Sequence, residues 1–242
     1  MRIDKWLSNT GFGSRKEVKQ LLKSGAVTVN GDVIKDPKTK ADPDKDMVLV
    51  HGEQAVYREF VYLMMNKPQG VISATEDSRH ETVIDLLHLE EQVFEPFPVG
   101  RLDKDTEGLL IITNDGQLSH SLLSPKKHVP KTYFAKINGS VPELTFEKFK
   151  EGIILEDGYK TQPAKLQVIK DEREKSEILL TITEGKFHQV KRMFEAVGRK
   201  VEYLQRVQMG RLKLDESLPL GSYRELTEEE LSLLSVSEDV FE

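Results

Sequence analysis

The stretch VGRLDKDTEGLLIITNDG, residues 99–116, sets a charged turn against a continuous apolar block and then a second turn. A short apolar run bounded by turn residues reads as a buried strand, here Leu109–Thr113. TNDG signals a turn leading into a helix over Gln117–Leu123. Gly108 serves either a close approach of backbone or a simple turn. Working outward, FVYLMMNKPQGVIS opens another strand, and further strands are predicted at Thr132–Asn138, Ala164–Ile169, Ile178–Thr183 and Val201–Met209. Helices are predicted at Glu143–Glu151 and His188–Val197. Short polar connections, such as the one between 169 and 178, suit antiparallel pairing. The expected class is therefore α+β, with a mainly antiparallel mixed sheet flanked by helices.

The N-terminal residues form a different pattern. Ile3, Trp6 and Leu7, then Val18, Leu21 and Leu22, fall at helical spacing on either side of the turn NTGFGS. Ser14 and Glu17 make a capping box for the second helix. A strand at Ala26–Val29, an Asn30-Gly31 hairpin turn, a return strand and a last strand at Met47–Val50 complete a small module. The chain is read as two domains, 1–58 and 59–242, joined by a polar connector over 51–60.

Composition narrows the chemistry. The chain has no cysteine, which excludes disulfides, thiolate nucleophiles and thiolate metal sites. It has no signal-like N-terminus and no apolar run long enough to span a membrane, so a cytoplasmic protein is expected. The net charge of −6 is unevenly spread. Residues 1–40 carry nine Lys/Arg against four Asp/Glu, and residues 183–213 carry eight against three. SPKKHVPKTYFAK has four lysines and no acid, whereas the segment from Glu225 to the end has seven acids and no Lys or Arg. Local basic islands of this kind set phosphate affinity, whatever the total. The acidic segment is open to three readings: a solvated end, a charge screen or a partner site.

Asp103 stands at the start of the turn in the opening stretch. DKDTEG imitates the first half of a calcium loop, but position twelve, which needs a bidentate Glu, is Asn114. The six histidines lack metal-ligand spacing, and GxSxG, Walker A and GxGxxG patterns are all missing. What remains is a single aspartate at the start of a turn, with a cation two residues before it and an apolar strand after it. From the residues alone, the first reading is structural: it caps the turn or pairs with Arg101 or Lys104.

GRLDKDTEGLLIITNDG resembles the catalytic motif of the pseudouridine synthases, in particular the family typified by RsuA. NKPQGVIS, KTY at 131–133 and EGKFHQVKRMFEAVG resemble that family's other motifs in the same order. RIDKWLSNTGFGSRKEVKQLLKSGAVTVNG resembles the small RNA-binding module first described in ribosomal protein S-four. The resemblance implies a cofactor-free isomerase that breaks the N-glycosidic bond of a uridine in RNA, turns the base and rejoins it through C5. By that resemblance Asp103 is the catalytic carboxylate, attacking C1′ or removing a proton from C2′. Lys186 would pair with it, and Tyr133 would stack on the uracil and assist proton removal from C5. Arg101 would hold the extruded nucleotide, with Arg192 a second candidate for a charge near the site. Asn66 and Lys67 would give support and phosphate contact. Arg15, Lys16, Lys19 and Lys23 would face RNA phosphates. The short C-terminus favours a uridine in 16S rRNA. A small-subunit assembly intermediate as the partner, a monomeric state and a site without metal are expected besides. The alternatives are a 23S rRNA target or a non-enzymatic RNA-binding assembly factor.

Overall fold

The apolar block of the opening stretch becomes an inner strand of the larger of two sheets in the computed structural model, which describes residues 1–234. The chain divides into two units. Met1–Val61 with Leu87–Pro96 forms one, and Tyr62–Leu86 with the chain from Phe97 onward forms the other.

In the first unit, α1 (Ile3–Asn9) and α2 (Arg15–Ser24) precede β1 (Val27–Val29), β2 (Asp32–Val33), β3 (Val48–Val50) and β4 (Glu53–Gln54), in sheet order β2-β1-β3-β4. The capping box forms: the Ser14 amide donates to Glu17 at 2.7 Å and the Glu17 amide to the Ser14 hydroxyl at 3.4 Å. Asn30 and Gly31 both have positive φ, 52° and 94°, as a two-residue hairpin turn requires. Ile3, Trp6, Leu7, Val18, Leu22, Val27, Val48 and Val50 share one core. Part of the segment read as connector belongs to this unit, because β4 pairs with β3 and Trp6 donates its indole N–H to the Ala55 carbonyl at 2.8 Å. A single turn, α3 (Leu89–Gln92), lies in the segment that packs with this unit. Burying Val18 and Leu22 leaves Arg15, Lys16, Lys19 and Lys23 exposed on α2.

The second unit is built on β5 (Tyr62–Lys67), β6 (Phe97–Pro98), β7 (Glu107–Thr113), β8 (Lys131–Asn138), β9 (Lys165–Asp171), β10 (Lys175–Ile182), β11 (Val201–Met209), β12 (Leu212–Lys213) and β13 (Tyr223–Glu225). Their order is β13-β5-β7-β11-β8-β10-β9, with β6 on β7 and β12 on β11. All pairs are antiparallel except β7 with β11. Among the described residues four helices accompany the sheet: α4 (Gly116–Leu123), α5 (Glu143–Glu151), α6 (Gln189–Ala196) and α7 (Glu228–Leu234). Met64, Leu109, Ile111, Leu122, Met209 and Leu234 share one cluster, while Phe149 of α5 and Phe194 of α6 meet at 5.0 Å between ring centres.

Gly108 decides how closely the parallel pair approaches. It sits at φ 101°, opposite Arg206, and a Cβ there would lie 2.3 Å from the Arg206 carbonyl oxygen. The close-approach reading therefore holds. Gly108→Ala is expected to cost about 3–5 kcal/mol through strain and forced separation of β7 and β11, read as a lower urea midpoint.

As far as Leu234 the acidic segment packs its leucines on the core of the second unit. Leu226 and Leu234 are buried in the core cluster, with Leu231 and Leu233 packed against it, and Arg224 bonds to both Asp215 and Glu230 at 2.8 Å. Three glutamates in the first turn of α7 suit the positive end of its dipole. The remaining acids, Glu238, Asp239 and Glu242, lie outside the described residues. Among the described residues no helix is long and apolar enough to cross a membrane.

Candidate active site

Asp103 lies on the loop between β6 and β7, and its backbone is held from two sides. Lys67, the last residue of β5, is fully buried and donates to three carbonyl oxygens: Pro68 at 3.0 Å, Asp103 at 3.0 Å and Thr106 at 2.9 Å. Burial pushes its pKa down to about 8, against the opposing charges of Asp103, Asp105 and Glu107. On the other side, the buried Ser73 hydroxyl donates to the Leu102 carbonyl and accepts from the Leu102 amide, both at 3.0 Å. Lys67 thus braces the loop from beneath and has no face for a phosphate, which corrects the expected contact. Asn66 is also buried, with its amide donating to Leu218 at 2.8 Å. It is held within the fold.

The ion-pair partner of Asp103 differs from expectation. Lys191 Nζ lies 3.1 Å from Asp103 Oδ2 and 2.6 Å from Asp105 Oδ1, and His188 Nε2 lies 3.6 Å from Asp103 Oδ1. Burial opposes the charge on Lys191, but hydrogen bonds and charge from Asp105 and Asp103 outweigh it and raise its pKa. Lys186 instead lies over the Tyr159 ring, 4.9 Å from its centre. The reason is the chain path. Lys186 belongs to the loop before α6, where its amide bonds to Gln189, whereas His188 caps the helix from a left-handed backbone and Lys191 stands in its first turn, and both reach Asp103. Arg192, about 100° further round the helix, pairs with Asp157 at 2.5 Å and does not line the Asp103 cleft. The spacing HxxK at the start of a helix was the available signal for Lys191.

The Asp103 side chain, 28% exposed, opens into a cleft of about 770 Å³. Arg101, Lys104 and Lys186 line it as exposed residues, and Tyr133, Lys131 and Arg206 line it as buried ones. Tyr133 and Lys131 alternate along β8, and Arg206 of β11 is the register partner of Tyr133, which puts all three side chains on one sheet face. Lys131 stands in the KTY motif and a basic island but carried no assigned role, and Arg206 carried no motif of its own. The cleft carries more cationic than anionic side chains, Arg101, Lys104, Lys131, Lys186 and Arg206 against Asp103 and Glu184.

Residues 61–196 match the family described as RNA pseudouridylate synthase, and residues 1–48 match the S4 domain. The chain belongs to the RNA pseudouridylate synthase family. Its relatives extend the likeness to nearly the full length of this synthase. An RNA pseudouridine synthase of Bacillus subtilis, YtzG, is 59% identical over 97% of this chain and 98% of its own. The ribosomal small subunit pseudouridine synthases A of Yersinia pestis and Vibrio cholerae are 41% and 43% identical, each over 96% of this chain and 97% and 98% of theirs. A crystal structure of a pseudouridylate synthase, 36% identical, superposes with a TM-score of 0.68 over 97% of this chain and 99% of that one. The synthase is thus an RsuA-type pseudouridine synthase acting on RNA.

Proposed function

We propose that the synthase isomerises one uridine of 16S rRNA in a partly assembled small subunit, with Asp103 as the carboxylate that breaks the glycosidic bond. The observation that carries the residue assignment is the Asp103 carboxylate itself, fixed through Lys67 at its backbone and Lys191 at its side chain, and opening into a cationic cleft. Both routes, attack on C1′ and proton removal at C2′, need that carboxylate ionised, and the Lys191 ammonium lies 3.1 Å from it. Tyr133 offers a planar wall for the uracil, and Arg101 stands exposed at the cleft to hold an extruded nucleotide against an unstacking cost of about a few kcal/mol. The name shared by the Yersinia and Vibrio relatives supports the small-subunit target.

Mapping pseudouridines in rRNA from cells with and without the protein tests the target. Loss of a single 16S position is expected. Loss in 23S rRNA would move the target to the large subunit, and loss in neither would overturn the reading. Rates on naked 16S rRNA and on partly assembled particles test the form of the substrate, with the particle expected to react faster.

The exposed face of α2 supplies sequence-independent affinity in this reading. Four phosphate contacts by Arg15, Lys16, Lys19 and Lys23 imply a slope of about −3 to −4 in log affinity against log salt. Replacing Lys19 and Lys23 with Gln is expected to flatten that slope by about 2, measured by filter binding. An unchanged slope would remove α2 from the interface.

A further inference from the structure

Arg206 is 2% exposed, and its Nε donates to the Leu109 carbonyl at 2.8 Å. Its Nη2 is buried with no hydrogen-bond partner among the described residues. Lys131, 8% exposed, donates to the Val129 carbonyl at 2.9 Å, and among the described residues no carboxylate pairs with either cation. Burial, with the Arg206 charge adding to it, pushes the Lys131 pKa down to about 8. Two uncompensated buried cations are costly unless something arrives to meet them. Both line the same cleft as Asp103, on the sheet face that carries Tyr133.

We propose that Arg206 and Lys131 form a subsite at the cleft floor for the carbonyl oxygens of the target uracil, holding the negative charge the base carries while detached from ribose. When the C1′–N1 bond breaks, its electron pair stays with the base and spreads over N1, O2 and O4. The charge disappears as C5 bonds to C1′ and the C5 proton is passed on to N1, so atoms and electrons balance without a further reactant. Both routes open to Asp103 share this anion. A phosphate is the poorer fit, because it stays joined to the ribose outside the base pocket, where the exposed Arg101, Lys104 and Lys186 are available. Donors aimed at charge that develops only during reaction act on the rate more than on affinity.

The inference rests on the Asp103 cleft receiving the target base, and its test does not depend on which rRNA is the substrate. The probe is 5-nitrouracil, a uracil ionised at neutral pH, compared with neutral uracil by calorimetry on the full chain. The wild-type synthase is expected to prefer the anion at least tenfold. Lys131→Met and Arg206→Gln should lose that preference and Lys131→Arg keep it. If Arg206→Gln fails to fold, the two Lys131 variants decide. In parallel, tritium release from total rRNA labelled at uracil C5 should fall about 100-fold at saturation in Lys131→Met, with RNA affinity within threefold of wild type. No preference for the anion, or a loss of RNA affinity at unchanged rate, would overturn the subsite. Lack of tritium release by the wild type, with the anion preference intact, would count against the catalytic reading and not against the subsite.

Discussion

Asp103→Asn is expected to slow tritium release from C5-labelled rRNA by about 10³–10⁴-fold while leaving the protein folded. Asparagine matches the size of aspartate, and Lys67 holds residue 103 through its backbone carbonyl, which the substitution leaves in place. What disappears is the charge. A neutral amide neither attacks C1′ nor takes a proton from C2′, so the change closes both routes and does not depend on choosing between them. RNA affinity is expected to stay within about threefold, because the phosphate contacts expected of α2 lie in the other unit. Release within tenfold of the wild-type rate would show that Asp103 is not the reacting carboxylate.

The elements legible in the sequence were those whose burial pattern is long enough to be periodic. Glu143–Glu151 and Val201–Met209 form over the residues their patterns predict. β7 and β8 begin one or two residues earlier than predicted, at Glu107 and Lys131, because pairing with β11 carries their polar first residues into the sheet. β12 and β13 have two and three residues, too few to show a period, and they exist through their pairing with β11 and β5. α7 was hidden by its acidic surface, since its leucines pack on a core that the local sequence does not announce.

The site was legible in part for the same reason. Asp103 and Tyr133 stand in motifs, and the cleft contains both. The burial of Lys67 has no local signal, because lysine is rarely buried. The three carbonyls that retain it come from a loop placed beside it only by the β5–β7 register. Arg206 was invisible because its meaning lies in the strands on either side: Gly108 lets β7 approach, and Tyr133 sits opposite on β8.

Exchange of the two lysines around His188 gives the second large effect. Lys191→Met is expected to lower the rate of tritium release by about 10²–10³-fold. It leaves Asp103 and Asp105 without the ammonium that bonds to both, at 3.1 and 2.6 Å, in a site where each carboxylate opposes the charge of the other. Lys191→Arg keeps the charge and should recover much of the rate. Lys186→Met removes a cation from above the Tyr159 ring, a contact of about 0.5–1 kcal/mol at an exposed position. Its loss should change the rate less than fivefold and appear mainly as weaker RNA binding. Tyr159 keeps its hydrogen bond to Glu184 at 2.6 Å, and Gln189 still ties the loop to Glu184 at 2.8 Å, so the Lys186 variant should retain the loop path. The opposite ranking, with Lys186→Met the slower enzyme, would mean that the loop before α6 rearranges when RNA binds and brings Lys186 to Asp103. A difference of this size separates the two arrangements in one assay, because the fold places a single ammonium between the two carboxylates and the other against an aromatic ring.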